Sequence, residues 1–192
     1  PGHEALTAYG LMLFTDIAAV TNGTAVVSPA LVNRTARWLV SRRDGVGGFA
    51  RSLGQTWDDY GGASQAVTDA YVLWAVGEAR SRAQVQASNG SDAFSLPDLT
   101  PELDALVKRS TDGKASAYEC ALTASALMLF DRHDDASACI SQLVTAQDGA
   151  GRVQSTGTSI TRSKGHNLAI ETTAIAAVAL QRFAANAGGS DA

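Results

Sequence analysis

Leu6-Thr7-Ala8-Tyr9-Gly10-Leu11-Met12-Leu13-Phe14 sets a pattern to which the chain returns three times. Thr68-Asp69-Ala70-Tyr71-Val72-Leu73-Trp74-Ala75-Val76 is the second copy, Leu122-Thr123-Ala124-Ser125-Ala126-Leu127-Met128-Leu129-Phe130 the third, and Thr172-Thr173-Ala174-Ile175-Ala176-Ala177-Val178-Ala179-Leu180 the fourth. Aligned on the shared alanine, the offsets are 62, 54 and 50 residues. Each copy is apolar or small nearly all round, which marks a helix enclosed by others. A repeat of this length is one supersecondary unit copied along the chain, and no copy buries its apolar face alone. The fold class follows: all-α. The chemistry does not, because a repeat scaffold hosts many functions.

Helices of a second kind lie between the copies. Ser28-Pro29 opens one that runs to about Arg43, with Leu31, Ala36, Leu39 and Val40 on one face. Serine caps such a helix and proline fits its first turn. Thr100-Pro101-Glu102 opens another through about Ser110 by the same logic, and Asp134-Asp135 caps a third that ends near Gln147. These are amphipathic, with charge on the outer face. Two connecting turns also repeat, Asp44-Gly45-Val46-Gly47-Gly48-Phe49 and Asp148-Gly149-Ala150-Gly151-Arg152-Val153, at a spacing of 104 residues. Asp-Gly makes a tight turn, and the Phe49 or Val153 that follows can fold back onto the core. Ser81–Leu99 reads as a loop and Thr158–Arg162 as a short strand. Enclosed and half-exposed helices in alternation describe an α/α toroid over residues 1–187, of the kind seen in terpenoid cyclases and prenyltransferases, with a flexible tail at 188–192.

Composition narrows the function classes. The 192 residues carry a net charge of −4, with 45% hydrophobic and 18% charged residues, which is globular material with no basic face for nucleic acid. No apolar run approaches the roughly 20 residues of a membrane span, and no leader peptide opens the chain. A hairpin folded about His133 puts Cys120 and Cys139 about 10 Å out of axial register. That exceeds the roughly 7 Å over which a disulfide can close, so both are expected to be free buried thiols. Asn22, Asn33 and Asn89 head Asn-x-Ser/Thr sequons, candidate glycosylation sites in a secreted eukaryotic protein and meaningless in a bacterial one.

The residues resemble a known family. Trp38-Leu39-Val40-Ser41-Arg42-Arg43-Asp44-Gly45-Val46-Gly47-Gly48-Phe49, followed by Val67-Thr68-Asp69-Ala70-Tyr71-Val72, is similar to the thioester-containing domain of the alpha-2-macroglobulin and complement family. So are Ser163-Lys164-Gly165-His166-Asn167-Leu168-Ala169-Ile170-Glu171-Thr172-Thr173-Ala174 and the opening Leu6-Thr7-Ala8-Tyr9. The resemblance implies covalent protease trapping rather than enzyme turnover. In that family a Cys-Gly-Glu-Gln segment forms an internal thioester, an acyl group on a good leaving thiolate, kept dry until proteolysis exposes it. Neither Cys120 nor Cys139 is followed by Gly-Glu-Gln. The implied thioester therefore lies outside this chain, and four inner helices against the family's six imply an incomplete ring. Implied partners are target proteases and other domains of a parent protein. The implied setting is extracellular or at the cell envelope, and no cofactor or metal is implied. Complement-type members place a histidine about eight residues after the aromatic of the Gly-Gly-Phe turn. Here that position is Trp57, beside Asp58, so the resemblance implies the macroglobulin type, which reacts directly with lysine amines.

Two other readings are weaker. A toroid that binds a partner without covalent chemistry needs no thioester. A prenyltransferase or cyclase needs zinc ligands or an Asp-x-Asp-Asp acid. Cys120 and His166 fall near the starts of successive inner helices, but Tyr118 stands where the Asp-x-Cys pattern needs aspartate, and Asp131-Arg132-His133-Asp134-Asp135 has the wrong spacing for the acid. No nucleophile elbow, phosphate loop or zinc-protease pair is present.

Overall fold

A computed structural model describes residues 3–21, 27–51, 63–87 and 95–187. These form seven helices: α1 (Glu4–Val20), α2 (Pro29–Val40), α3 (Gln65–Ala87), α4 (Thr100–Thr111), α5 (Ala117–Leu129), α6 (His133–Thr145) and α7 (Gly165–Ala187). The fold is all-α. Thr158–Arg162 is a turn rather than a strand, with Arg162 at φ 64 and the hydroxyl of Ser159 receiving the amides of Thr161 and Ser163. The β-branched residues that suggested a strand have no partner strand among the described residues, where the only bridges are Arg43 with Phe49 and Gln147 with Val153.

The odd-numbered helices are the four repeated segments, and they pack in sequence: α1 on α3, α3 on α5, α5 on α7. The even-numbered helices cover the joints. α2 lies on α1 and α3, α4 on α3 and α5, α6 on α5 and α7. Helix α5 sits at the centre, and every residue from Ala117 to Met128 is buried. Its Ala121, Ala124 and Ala126 let neighbours approach closely, and Gly77 on α3 is closer still. A Cβ at Gly77 would stand 2.8 Å from that of Leu129, so the contact needs glycine. Helices α1 and α7, equally apolar in sequence, are buried on one side only. Leu6, Tyr9, Leu13 and Val20 of α1 and Ile170 and Val178 of α7 are exposed.

The helix starts explain why the chain breaks where it does. Ser28 accepts the amide of Leu31, as its position predicts. Ser116 and Glu119 form a reciprocal capping box on α5. Thr100 does not cap α4. It is the first helical residue, and Asp98 takes both its amide and its hydroxyl instead. Asp134 and Asp135 do not cap α6 either; they lie in its first turn, favourable to the helix dipole, and Asp135 is bound by Arg132. His3, which with Glu4 lacks the second histidine of a zinc-protease pair, caps α1 through Nδ1. Helix α3 continues to Ala87, seven residues into the expected loop.

Three carboxylates buried in first helical turns are answered by arginines. Glu4 receives Arg42 at 2.9 Å, Glu119 receives Arg109 at 2.8 Å, and Glu102 faces Arg43 at 3.9 Å. Each gains from the positive end of its own helix as well as from the guanidinium. The stretch Gly165–Asn186 of α7 is longer and more apolar than the sequence reading allowed, and by length and composition it would cross a membrane. It nevertheless packs Leu168, Thr172, Ala176 and Ala179 into the bundle. Glu171 binds Tyr118 and Arg182 binds Glu78, which ties α7 to α5 and α3 as a helix of the bundle.

Candidate functional site

The two Asp-Gly turns are the same structure built twice. In the first, Asp44 Oδ1 accepts the amides of Val46 and Gly48, and the Asp44 amide donates to the Gly48 carbonyl at 2.9 Å. In the second, Asp148 Oδ1 accepts the amides of Ala150 and Arg152, and the Asp148 amide donates to the Arg152 carbonyl at 2.8 Å. Gly47 and Gly151, at φ 100 and φ 82, take the left-handed step that closes each turn. Phe49 and Val153 are each 1% exposed, folded onto the core as expected. One bond then ties each turn to the next odd-numbered helix. The Phe49 amide donates to Asp69 Oδ1 and the Val153 amide to Thr173 Oγ1, both at 2.9 Å.

The first copy differs in carrying a carboxylate at the acceptor, where the second has a hydroxyl. Gln65 bridges it, donating through Nε2 to the Phe49 carbonyl at 2.7 Å and to Asp69 Oδ1 at 2.8 Å. A Cβ on Gly48 would stand 2.9 Å from both the Asp44 and the Asp69 carboxylates, so glycine is what admits the two acids together. Burial pushes the Asp69 carboxyl up to about 6, against the pull of the Phe49 amide and Gln65, with Asp44 adding to the rise and Arg51 opposing it. Arg51 also donates to the Ala63 carbonyl at 2.9 Å, tying together the two ends of the segment that holds Trp57 and Asp58. Trp57 and Asp58 themselves lie outside the described residues, as do Asn22, Asn89 and the 188–192 tail.

A second polar group joins α5 to α7. The Tyr118 hydroxyl donates to Glu171 Oε1 at 2.7 Å and accepts the Ile160 amide at 3.3 Å; Thr161 donates to Glu171 Oε2 at 3.0 Å. Burial, and then the bond to Glu171, holds the Tyr118 phenol well above its ordinary range. The tyrosine stays a neutral donor and serves as a strut. Sequence reading did not find this pair, because its members lie 53 residues apart with no shared motif.

The remaining sequence candidates are scattered. Asn33 sits inside α2, half-buried, on the wall of a cleft of ≈ 210 Å³ that Thr15, Val32, Ala79 and Arg82 also line. A helix interior of this kind presents the asparagine poorly to a glycosyl donor. His166 is exposed in the first turn of α7, inside the helix rather than in the loop before it. Among the described residues no three His, Cys, Asp or Glu side chains converge as metal ligands. The acidic run is taken up by arginines: Asp131 by Arg80, Asp135 by Arg132. The cysteines correct an expectation. The hairpin turns at Asp131, φ 61, not at His133, so Cys120 stands eleven residues before the apex and Cys139 eight after. The axial offset falls to about 4.5 Å, and both side chains remain free buried thiols, as expected.

Comparison of the sequence with protein-family models gives no match, and comparison with curated proteins gives none.

Proposed function

We propose that this chain is the middle-to-late part of the thioester domain of an alpha-2-macroglobulin-like, broad-spectrum protease trap, built as an α/α toroid whose ring the chain does not complete. The observation that carries the reading is the order of the resembling segments on the helices. The Asp44–Phe49 turn, the Val67–Val72 start of α3 and the Ser163–Ala174 approach to α7 fall where one layer of helices passes to the other. The exposed apolar stripes of α1 and α7 are the faces against which further helices of a ring would pack. In this reading the chain is scaffold and shield, the reactive acyl group lies on another part of the parent protein, and target proteases couple to it through lysine amines in the extracellular space or cell envelope.

Methylamine treatment of the parent protein tests the reading. One methylamine adduct per chain together with one new free thiol is the expected result. An unchanged mass on a parent that lacks Cys-Gly-Glu-Gln upstream would overturn it in favour of a toroid that binds its partner without covalent chemistry. That second reading is favoured by one observation: both cysteines present are free thiols buried inside helices.

A further inference from the structure

The two cysteines of the chain meet inside it. Cys120 in the first turn of α5 and Cys139 in the middle of α6 are free thiols with no exposed surface. Each thiol is the strongest electrostatic influence on the other. A separate contact fixes the same placement. Cys120 Sγ lies 3.1 Å from Oε1 of Gln142, one turn beyond Cys139 on α6, and Gln142 Nε2 is held on the Ala115 carbonyl at 2.8 Å. Cys120 therefore points at the Cys139–Gln142 face of α6. Ser110, at the end of α4, also bears on Cys139. The nearness of Cys139, followed by burial, pushes the Cys120 thiol up, while Cys120, with Ser110 assisting, draws Cys139 down. Glu119 is the one carboxylate that bears on both, and it opposes ionisation.

We propose that Cys120 and Cys139 are an oxidisable pair that closes an intrachain disulfide between α5 and α6, with a small disulfide of the oxidised-glutathione class as electron acceptor. Cys139 loses its proton, and its thiolate attacks one sulfur of the reagent, forming a mixed disulfide. The released thiolate takes up a proton. Cys120 then loses its proton and attacks the Cys139 sulfur, forming the Cys120–Cys139 bond and expelling the second reagent thiolate, which is protonated in turn. Two protein thiols are oxidised by two electrons, and one reagent disulfide becomes two thiols. A finished bond needs sulfurs about 2.05 Å apart and Cα atoms within about 7 Å. Side-chain rotation and a small shift of α6 supply the closure. Because neither sulfur touches solvent, reagent reaches them when α6 lifts from α5. Helix α6 is suited to lifting: it lies in the covering layer, Val144 on it is 57% exposed, and no side chain caps its first turn. The bond would pin a covering helix to the central one.

The test is incubation of the 192-residue chain with oxidised glutathione in native buffer, followed by thiol trapping, intact mass and peptide mapping. Both thiols should vanish together with a mass lower by about 2 Da. The map should show Cys120 joined to Cys139, and the oxidised chain should melt several degrees above the reduced one. C120S and C139S should each stop at a single glutathione adduct. Stable adducts on the wild-type chain, disulfide-linked dimers, or two thiols left intact would overturn the proposal. Where a serine variant fails to fold, the wild-type chain in native buffer and in urea decides. A bond formed only in urea overturns the proposal, and one formed in native buffer supports it.

Discussion

Asp69 and Thr173 hold equivalent places, each accepting a turn amide 20 residues upstream, and they differ by a charge. The consequence is a pH dependence at the acceptor that Thr173 cannot have. The folded carboxyl titrates near 6 against 3.8 unfolded, so between those values the folded chain holds the extra proton. Its contribution to stability is complete below about pH 4 and is lost as pH rises through 6, a change of about 3 kcal/mol. D69N keeps an oxygen acceptor and removes the titration. Urea midpoints of wild type and D69N should therefore diverge from pH 4 to 6.5, the wild type falling relative to the variant. Parallel profiles would show that Asp69 stays ionised in the fold. The signal for this pair was present in the sequence, since the spacing from the apolar residue that closes the turn to the helix acceptor is 20 in both copies. Only the fold shows that the acceptor is buried, and burial is what moves the carboxyl.

Helix starts and stops were legible where one residue decides them. Ser28 with Pro29 opened α2 as chemistry dictates. They were not legible where two segments compete. Asp98 outbids Thr100 because an aspartate two residues upstream binds amide and hydroxyl at once, and Arg132 draws Asp135 away from the backbone it would cap. The capping box of α5 combines both bonds in one place. S116A should cost about 1 kcal/mol and lower the melting temperature by roughly 2–4 °C, as read by calorimetry. No change would mean that the Arg109–Glu119 ion pair alone holds that end. The cysteine offset was missed for a similar reason. The apex of a hairpin is set by which residue accepts a left-handed backbone, and Asp131, two residues before His133, is that residue.

For the whole molecule, the repeat showed that four segments are alike, but not that two of them lie at the edges. Composition cannot separate α5 from α1, because an apolar helix looks the same whether or not a neighbour is present. Exposure separates them, and hydrogen exchange should report the difference. Amides of α5 and the middle of α3 should exchange last, at the free energy of global unfolding, with α1 and α7 exchanging earlier. Equal protection across all four would mean that the edge faces are covered in solution. One side-chain bond bears on how such a stack bends. At the end of α5, Arg182 of α7 reaches past it to Glu78 of α3 at 2.6 Å, and Trp74 steadies the same carboxylate at 2.8 Å. In a fan, a tie that skips one blade fixes the angle between the two outside it. Any splaying of α7 from α3 must first break the Glu78–Arg182 clasp, which makes two residues the stop on the angle between those helices.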